Sequence, residues 1–284
     1  MIGISSHDAG GAELLSEYVV KNKNNYLFFV TGPAVNIFKK KVKNFKNSNF
    51  KTSYKKLEKV ISSTGWATKN EIKIIDFCRK KKIKICAFLD HWVNYKQRFI
   101  LNKKLILPNE IWVSDNLAYK IVKKTFQDKI TIKKIKNYYF EEAKKYFKKN
   151  KNNFDDNKKK NILYLCEPIK DHYKRKSFYN EKDCLNLFFK KIINFKEINR
   201  ITLRPHPSEK NIKYNWLLSK KNFKIKISKK KILFQEILNN DIIVGCNTVA
   251  LYIGLLANKK VFTSIPKGYV CDIPSKKIVY LNTL

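Results

Sequence analysis

Arg204-Pro205-His206-Pro207-Ser208-Glu209 follows directly on the apolar run Ile201-Thr202-Leu203. Farther along, Asp241-Ile242-Ile243-Val244 runs into Gly245-Cys246-Asn247-Thr248 and then into a helical pattern. Both are strand-then-loop junctions, and in open α/β sheets ligands bind outside the carboxyl ends of the strands. Each proline fixes its own φ and restricts the residue before it, so His206 is held in extended backbone. A fixed histidine beside an arginine, close to a helix N-terminus, suits a phosphate group. The plainer alternative is a proline-rich turn whose histidine only caps a strand. The second junction tips the reading toward a ligand site.

Outward from these junctions, apolar runs alternate with helical patterns. Strands are expected at 1–5, 26–30, 59–62, 83–89, 110–113 and 129–135, with helices at 12–20, 34–41, 69–80, 117–125 and 139–149. Segments of these lengths make βα units with a parallel sheet. The pattern breaks at 150–160, which is polar, charged and without period, and reads as a linker. A second series follows, with strands at 161–166, 200–203, 223–227, 241–244 and 260–263, and helices at 182–193, 215–219, 232–238 and 248–257. The fold class is therefore α/β: two Rossmann-like βαβ domains facing a central cleft. Residues 1–155 form the N-terminal domain and 156–284 the C-terminal one.

Composition narrows the function. Hydrophobic residues make up 44% of the chain, enough for real cores, so global disorder is excluded. A formal net charge of +38 would ordinarily suggest nucleic acid or an anionic surface. Lysine carries nearly all of it, however, since Arg79, Arg98, Arg175, Arg200 and Arg204 are the only arginines. Lysine abundant together with Asn and Ile is what an AT-rich genome imposes whatever the function. Sequence-specific nucleic-acid readers lean on arginine for bidentate contacts, so specific nucleic-acid binding is set aside. Attraction to an anionic membrane surface stays as a side effect of the charge. The six cysteines include no CxxC pair and read as reduced core residues, so neither zinc nor another cofactor is expected. Met1-Ile2-Gly3-Ile4-Ser5 reads as an immediate strand rather than a signal peptide, and no apolar run reaches membrane-spanning length. The expected location is the cytoplasm, at most peripheral to the inner membrane.

The first half has its own loop constellation. Ser5-Ser6-His7-Asp8-Ala9-Gly10-Gly11 ends the first strand and opens a helix. Gly10 and Gly11 let the backbone approach a ligand, and the helix start attracts oxyanions. His7 or Asp8 could accept a proton from an acceptor hydroxyl; alternatively Asp8 only caps the helix. Ser63, Thr64 and Gly65 could hold an oxygen-rich ligand, with Trp66 and Trp92 as flat surfaces for sugar faces or as core packing. Asp90 and His91, at the end of another strand, could act as base and orienting partner or form a structural hydrogen bond. Three of the four histidines, His7, His91 and His206, fall at strand-end loops, while His172 lies in a polar stretch and reads as exposed. Glu167 and Glu209 are candidates for hydrogen bonds to a base or ribose, or for an exposed turn and a lysine pair.

The architecture, with Arg204-Pro205-His206-Pro207 and Gly245-Cys246-Asn247-Thr248, resembles the GT-B glycosyltransferase superfamily. Within it the branch carrying an HP motif is the most similar: bacterial sialyltransferases, Kdo transferases and CDP-glycerol glycerophosphotransferases. The likeness covers both halves as topology, but its motifs lie mainly in the second. It implies that His206 contacts the phosphate of a nucleotide donor and that Thr248 binds the same phosphates, with Arg204 beside them. Asn247 stands where a Ser or Thr belongs. No DxD-type cluster is present, because Asp155-Asp156 lies in the polar linker, so metal-independent transfer is implied. The expected partners are a nucleotide-sugar donor and a glycan or lipid-linked acceptor of surface polysaccharide synthesis. Two other readings stay open: a nucleotide-sugar hydrolase or epimerase of the same fold, and a non-catalytic carbohydrate- or nucleotide-binding protein.

Overall fold

A computed structural model describes residues 1–65, 68–150, 159–169, 179–193, 195, 197–209, 211–219, 223–229 and 232–284. The chain divides into two compact units, Met1–Tyr139 and Phe140–Leu284. Residues 151–158, most of the segment whose polarity predicts a linker, lie outside the described residues, as do Trp66 and His172.

In the first unit the chain runs through β1 (Ile2–Ser6), α1 (Ala9–Lys21), β2 (Tyr26–Val30), α2 (Ala34–Lys41), the single turn α3 (Phe50–Ser53), β3 (Lys59–Ser62), α4 (Asn70–Lys80) and β4 (Lys84–Phe88). It continues through α5 (Tyr95–Arg98), a small antiparallel hairpin of β5 (Ile100–Leu101) and β6 (Lys104–Leu105), then β7 (Glu110–Val113), α6 (Asn116–Phe126) and β8 (Thr131–Lys134). The helix α7 (Tyr138–Lys149) spans the division between the units. The main sheet is entirely parallel, in the order β2-β1-β3-β4-β7-β8. Parallel strands are covered on both faces, which is why β4 reads as Ile85-Cys86-Ala87-Phe88 with all four residues fully buried. Helix α1 lays Leu14, Leu15 and Val19 against Ile4, Phe28 and Val30, and Phe38 of α2 joins the same core.

The second unit repeats the plan: β9 (Lys160–Leu165), α8 (Glu181–Ile192), β10 (Ile198–Arg204), β11 (Ile225–Ile227), α9 (Leu233–Leu238), β12 (Ile242–Gly245), α10 (Val249–Leu256), β13 (Lys260–Thr263) and β14 (Ile278–Tyr280). A 3-10 helix at Asn211–Leu217 lies between β10 and β11. The sheet is again all parallel, in the order β11-β10-β9-β12-β13-β14. Asn180 and Asp183 close a reciprocal capping box at the start of α8, so this helix begins abruptly. Its Leu185, Phe188 and Ile192 pack against Ile162, Tyr164, Ile201 and Leu203.

Both strand orders place the functional candidates. In the first sheet the chain leaves β1 for β2 on one side and returns to the other side as β3, so the switch point lies between β1 and β3. In the second sheet it lies between β9 and β12. At such a point adjacent loops diverge above and below the sheet and leave a crevice at the strand ends. The loops concerned carry His7-Asp8 and Ser63-Thr64-Gly65 in one unit, and Cys166-Glu167 and Cys246-Asn247-Thr248 in the other.

Candidate active site

At the switch point of the first unit, Asp8 occupies the N-cap position of α1, yet its side chain makes no capping hydrogen bond. Instead it lies among carboxylates. Burial, reinforced by the neighbouring charges of Glu71 and Asp90 and only partly opposed by Arg98, raises its pKa to about 7. Close approach of the backbone makes this possible. A Cβ on Gly65 would collide with the Asp8 carboxylate, and one on Gly10 would sit 2.5 Å from Asp90 Oδ2. A Cβ on Gly11 would meet Ser63. At all three glycines the space a Cβ would fill is taken by the protein's own side chains.

Two residues outside the sequence reading organise the cluster. Buried Glu71, in the first turn of α4, accepts from the backbone N–H of His7 at 3.0 Å and from Ser63 Oγ at 3.4 Å. Ser63 also shares a 2.8 Å hydrogen bond with Ser6. Arg98 of α5 is 5% exposed; its Nη1 donates to the Thr64 carbonyl, Thr64 Oγ1 and Asp90 Oδ1, each at 2.8 Å, and its Nε donates to the Val93 carbonyl. Asp90 therefore turns to Arg98 rather than to His91, and the expected Asp90–His91 pair does not form. His91 accepts at Nδ1 from the Trp92 backbone N–H at 2.9 Å. Trp92 is 8% exposed and its indole donates to Asp115 at 2.9 Å, so its ring is packing rather than an open platform. His7 is held at Nδ1, 2.8 Å from both Thr31 Oγ1 and Asn70 Nδ2. Because Asn70 Nδ2 can only donate, Nδ1 accepts and Nε2 carries the proton of the neutral ring.

The second unit builds its switch point around Glu167. This carboxylate accepts from the consecutive backbone N–H groups of Cys246 and Asn247, at 3.1 and 2.7 Å. Burial raises its pKa to about 7 in spite of those two hydrogen bonds. Glu167 thus bridges the loops after β9 and β12 rather than standing as an exposed turn carboxylate. Asn247 and Asp272 exchange hydrogen bonds, Asn247 Nδ2 to Asp272 Oδ2 at 2.6 Å and Asp272 N to Asn247 Oδ1 at 2.8 Å. Thr248 is the N-cap of α10, and its hydroxyl accepts from Ala250 N.

Glu209 fixes the histidine loop. It accepts from the His206 backbone N–H at 3.0 Å, from Lys213 at 2.7 Å and from Tyr214 at 2.8 Å, and its residue is 6% exposed. The expected lysine pair is formed with Lys213. The His206 ring accepts at Nδ1 from Ser208 N at 3.3 Å, with Ser208 Oγ at 2.7 Å, which leaves the proton on Nε2 in the neutral ring. Arg204 is engaged by Glu236, whose other oxygen accepts from Ser228. Among the described residues no three His, Cys, Asp or Glu side chains are grouped so as to hold a metal ion. Nor is any helix among them long and apolar enough to cross a membrane.

Solved structures share the fold. The UDP-GlcNAc 2-epimerase of Methanocaldococcus jannaschii is 15% identical and superposes with a TM-score of 0.58 over 92% of this chain and 83% of its own. S. aureus MnaA in a co-structure with UDP is 13% identical, with a TM-score of 0.61 over 93% of this chain and 79% of its own. An alpha/beta-galactoside alpha-2,3-sialyltransferase from Photobacterium phosphoreum covers the whole chain at 11% identity and a TM-score of 0.49. No protein-family model matches the chain. No curated protein matches it either. The two Rossmann-like parallel-sheet units are those of the GT-B fold.

Proposed function

We propose that this chain is an enzyme of the glycosyltransferase type, moving a sugar or sugar acid from a nucleotide donor to a glycan or lipid-linked acceptor in surface polysaccharide synthesis, without a metal ion. The observation that carries this reading is Asp8: a carboxylate at the switch point of the first sheet, not used as a cap, with a pKa of about 7. A general base works best with a pKa near the operating pH, because it is then both available and strong enough. Asp8 would take the proton of the acceptor hydroxyl as that oxygen bonds to the anomeric carbon and the bond to the donor phosphate breaks. His7, with Nδ1 engaged by Thr31 and Asn70, could assist in the same loop, while Asp90 holds the loop through Arg98. On the second unit His206 Nε2–H and the start of α10 at Asn247 and Thr248 would hold the leaving phosphate, where oxyanion charge builds. Glu167 would sit beside the nucleotide. Ser63 and Thr64, buried and engaged by Ser6, Glu71 and Arg98, would hold the loop in place behind the acceptor rather than touch it. The site of action is the cytoplasm or its membrane face, with no sequence-specific nucleic-acid partner.

A second reading is favoured by one observation, the shared fold with a UDP-GlcNAc 2-epimerase. Epimerisation also needs a group that removes a proton near neutral pH, and Asp8 meets that requirement equally. Incubating the purified chain with a panel of nucleotide sugars, with and without glycan acceptors, separates the readings. Nucleotide released only with an acceptor supports transfer; release without one indicates hydrolysis. Inverted sugar configuration with the nucleotide still attached indicates epimerisation, and binding without any turnover leaves a carbohydrate- or nucleotide-binding protein.

A further inference from the structure

The 3-10 helix Asn211–Leu217 turns apolar side chains outward. With three residues per turn, Tyr214 and Leu217 form its inward row and are fully buried. The next row carries Ile212 and, one residue past the helix, Leu218; the third row carries Trp216. Their exposures are 71%, 49% and 44%, far above what a packed core leaves. Single exposed apolar residues are ordinary, but three on the outer side of one short helix make a patch.

Lysines frame it. The Lys182 ammonium lies 5.8 Å from the Trp216 ring centroid. Lys224 and Lys226 are exposed at the edge strand β11, which packs against the same 3-10 helix. At the start of α8, Glu181 pairs with Lys213 at 2.5 Å and Asp183 accepts from the Asn180 backbone in the capping box. The patch therefore presents a tryptophan and two aliphatic side chains beside positive charge.

We propose that this patch docks the protein on an anionic lipid bilayer, Ile212, Trp216 and Leu218 entering the headgroup layer while Lys182, Lys224 and Lys226 meet lipid phosphates. Tryptophan settles at the membrane–water interface because its ring is apolar and its N–H is not. Apolar insertion and lysine attraction to anionic lipid act together at such sites. The net charge of +38 attracts the whole molecule to the same kind of surface. Protruding side chains spread over two turns suit a fluid layer that closes around them, whereas a protein partner would have to offer a matching socket. The inference stands whether or not the chain transfers sugars, and its test involves no turnover.

The full chain is sedimented with vesicles of phosphatidylcholine alone or mixed with phosphatidylglycerol at physiological salt. Preferential capture by the mixed vesicles is expected, with a blue shift of tryptophan emission that Trp216→Phe removes. Replacing Ile212, Trp216 and Leu218 together by serine should weaken capture at least tenfold, and Lys224→Glu with Lys226→Glu should do the same while leaving the apolar residues in place. Equal capture by both vesicle types, an unshifted emission on binding, or unweakened capture of a folded serine variant would each overturn the proposal. Self-association through this face that vesicles fail to compete away would overturn it as well.

Discussion

Replacing Asp8 by asparagine should make the first unit more stable, and by an amount that grows with pH. A carboxyl whose pKa rises on folding, here from 3.8 to about 7, binds its proton more tightly in the native state than in the unfolded one. Native stability is therefore undiminished well below the unfolded pKa and falls as pH climbs toward the folded value. With those two pKa values, ionisation of Asp8 lowers stability by about 2 kcal/mol at pH 5 and by about 4 kcal/mol at pH 8. An asparagine side chain does not ionise, so the advantage of Asp8→Asn should be larger at pH 8 than at pH 5 by roughly 2–3 kcal/mol. Urea unfolding of the full chain can be read by tryptophan emission in a Trp216→Phe background, where Trp66, Trp92 and Trp112 all report on the first unit. The difference between the two pH values cancels whatever the substitution does to packing. An equal effect of Asp8→Asn at pH 5 and pH 8 would refute the claim that folding holds a proton on this carboxyl. If Asp8 is the base, the stabilised variant should also lose turnover while still binding donor.

Arg98→Ala should destabilise the first unit by about 3–5 kcal/mol, because it strands the Asp90 carboxylate and the Thr64 carbonyl, and calorimetry of the full chain would show it. Gly10→Ala should force Asp90 away from Arg98 and lower the melting temperature of that unit; an unchanged melt would mean the loop yields more easily than its geometry indicates. His206→Ala should reduce turnover by roughly a hundredfold or more with an unchanged circular-dichroism melt, the typical loss for one oxyanion-stabilising donor. Thr248→Ala should act in the same direction more mildly, since the backbone N–H groups of that helix start remain, and steady-state kinetics on the two variants would order them.

The α/β plan is legible because parallel strands covered on both faces appear as unbroken apolar runs, as at Tyr26–Val30, and the strand expected at 241–244 is observed at Ile242–Gly245. The hairpin of β5 and β6 was not, since two residues per strand are too few to show a period. The 3-10 helix at Asn211–Leu217 was read as a shorter helical stretch at 215–219, because its inward residues Tyr214 and Leu217 repeat every three positions rather than every 3.6. Within the candidate site, His7, Asp8, Asp90, Glu167 and His206 announced themselves by standing at strand ends. Their partners did not. Glu71 looks like an ordinary acidic residue complementing the dipole at a helix start, and its burial comes only from the strand order that brings α4 under the His7 loop. Arg98 follows Lys96 and Gln97 on a single-turn helix, and nothing in that short stretch marks it as the residue that joins Thr64 to Asp90. Trp92 belonged equally to a sugar platform or to the interior until its indole was found on Asp115.

Each parallel sheet draws all its strands from one uninterrupted stretch of chain, 2–134 for the first and 160–280 for the second. During synthesis the first sheet can therefore close while the second is still being made, since domains fold as units from the N-terminus onward. In each sheet an inner strand, β1 or β9, is made first and waits for neighbours that arrive later on both sides. Until β3 or β12 emerges, that strand exposes one unsatisfied edge, carrying Ile2 and Ile4 in β1 or Ile162, Leu163 and Leu165 in β9, the kind of edge that recruits other chains. Slow translation through 31–58 or 205–241 would lengthen that interval, and aggregation on the ribosome should rise with it.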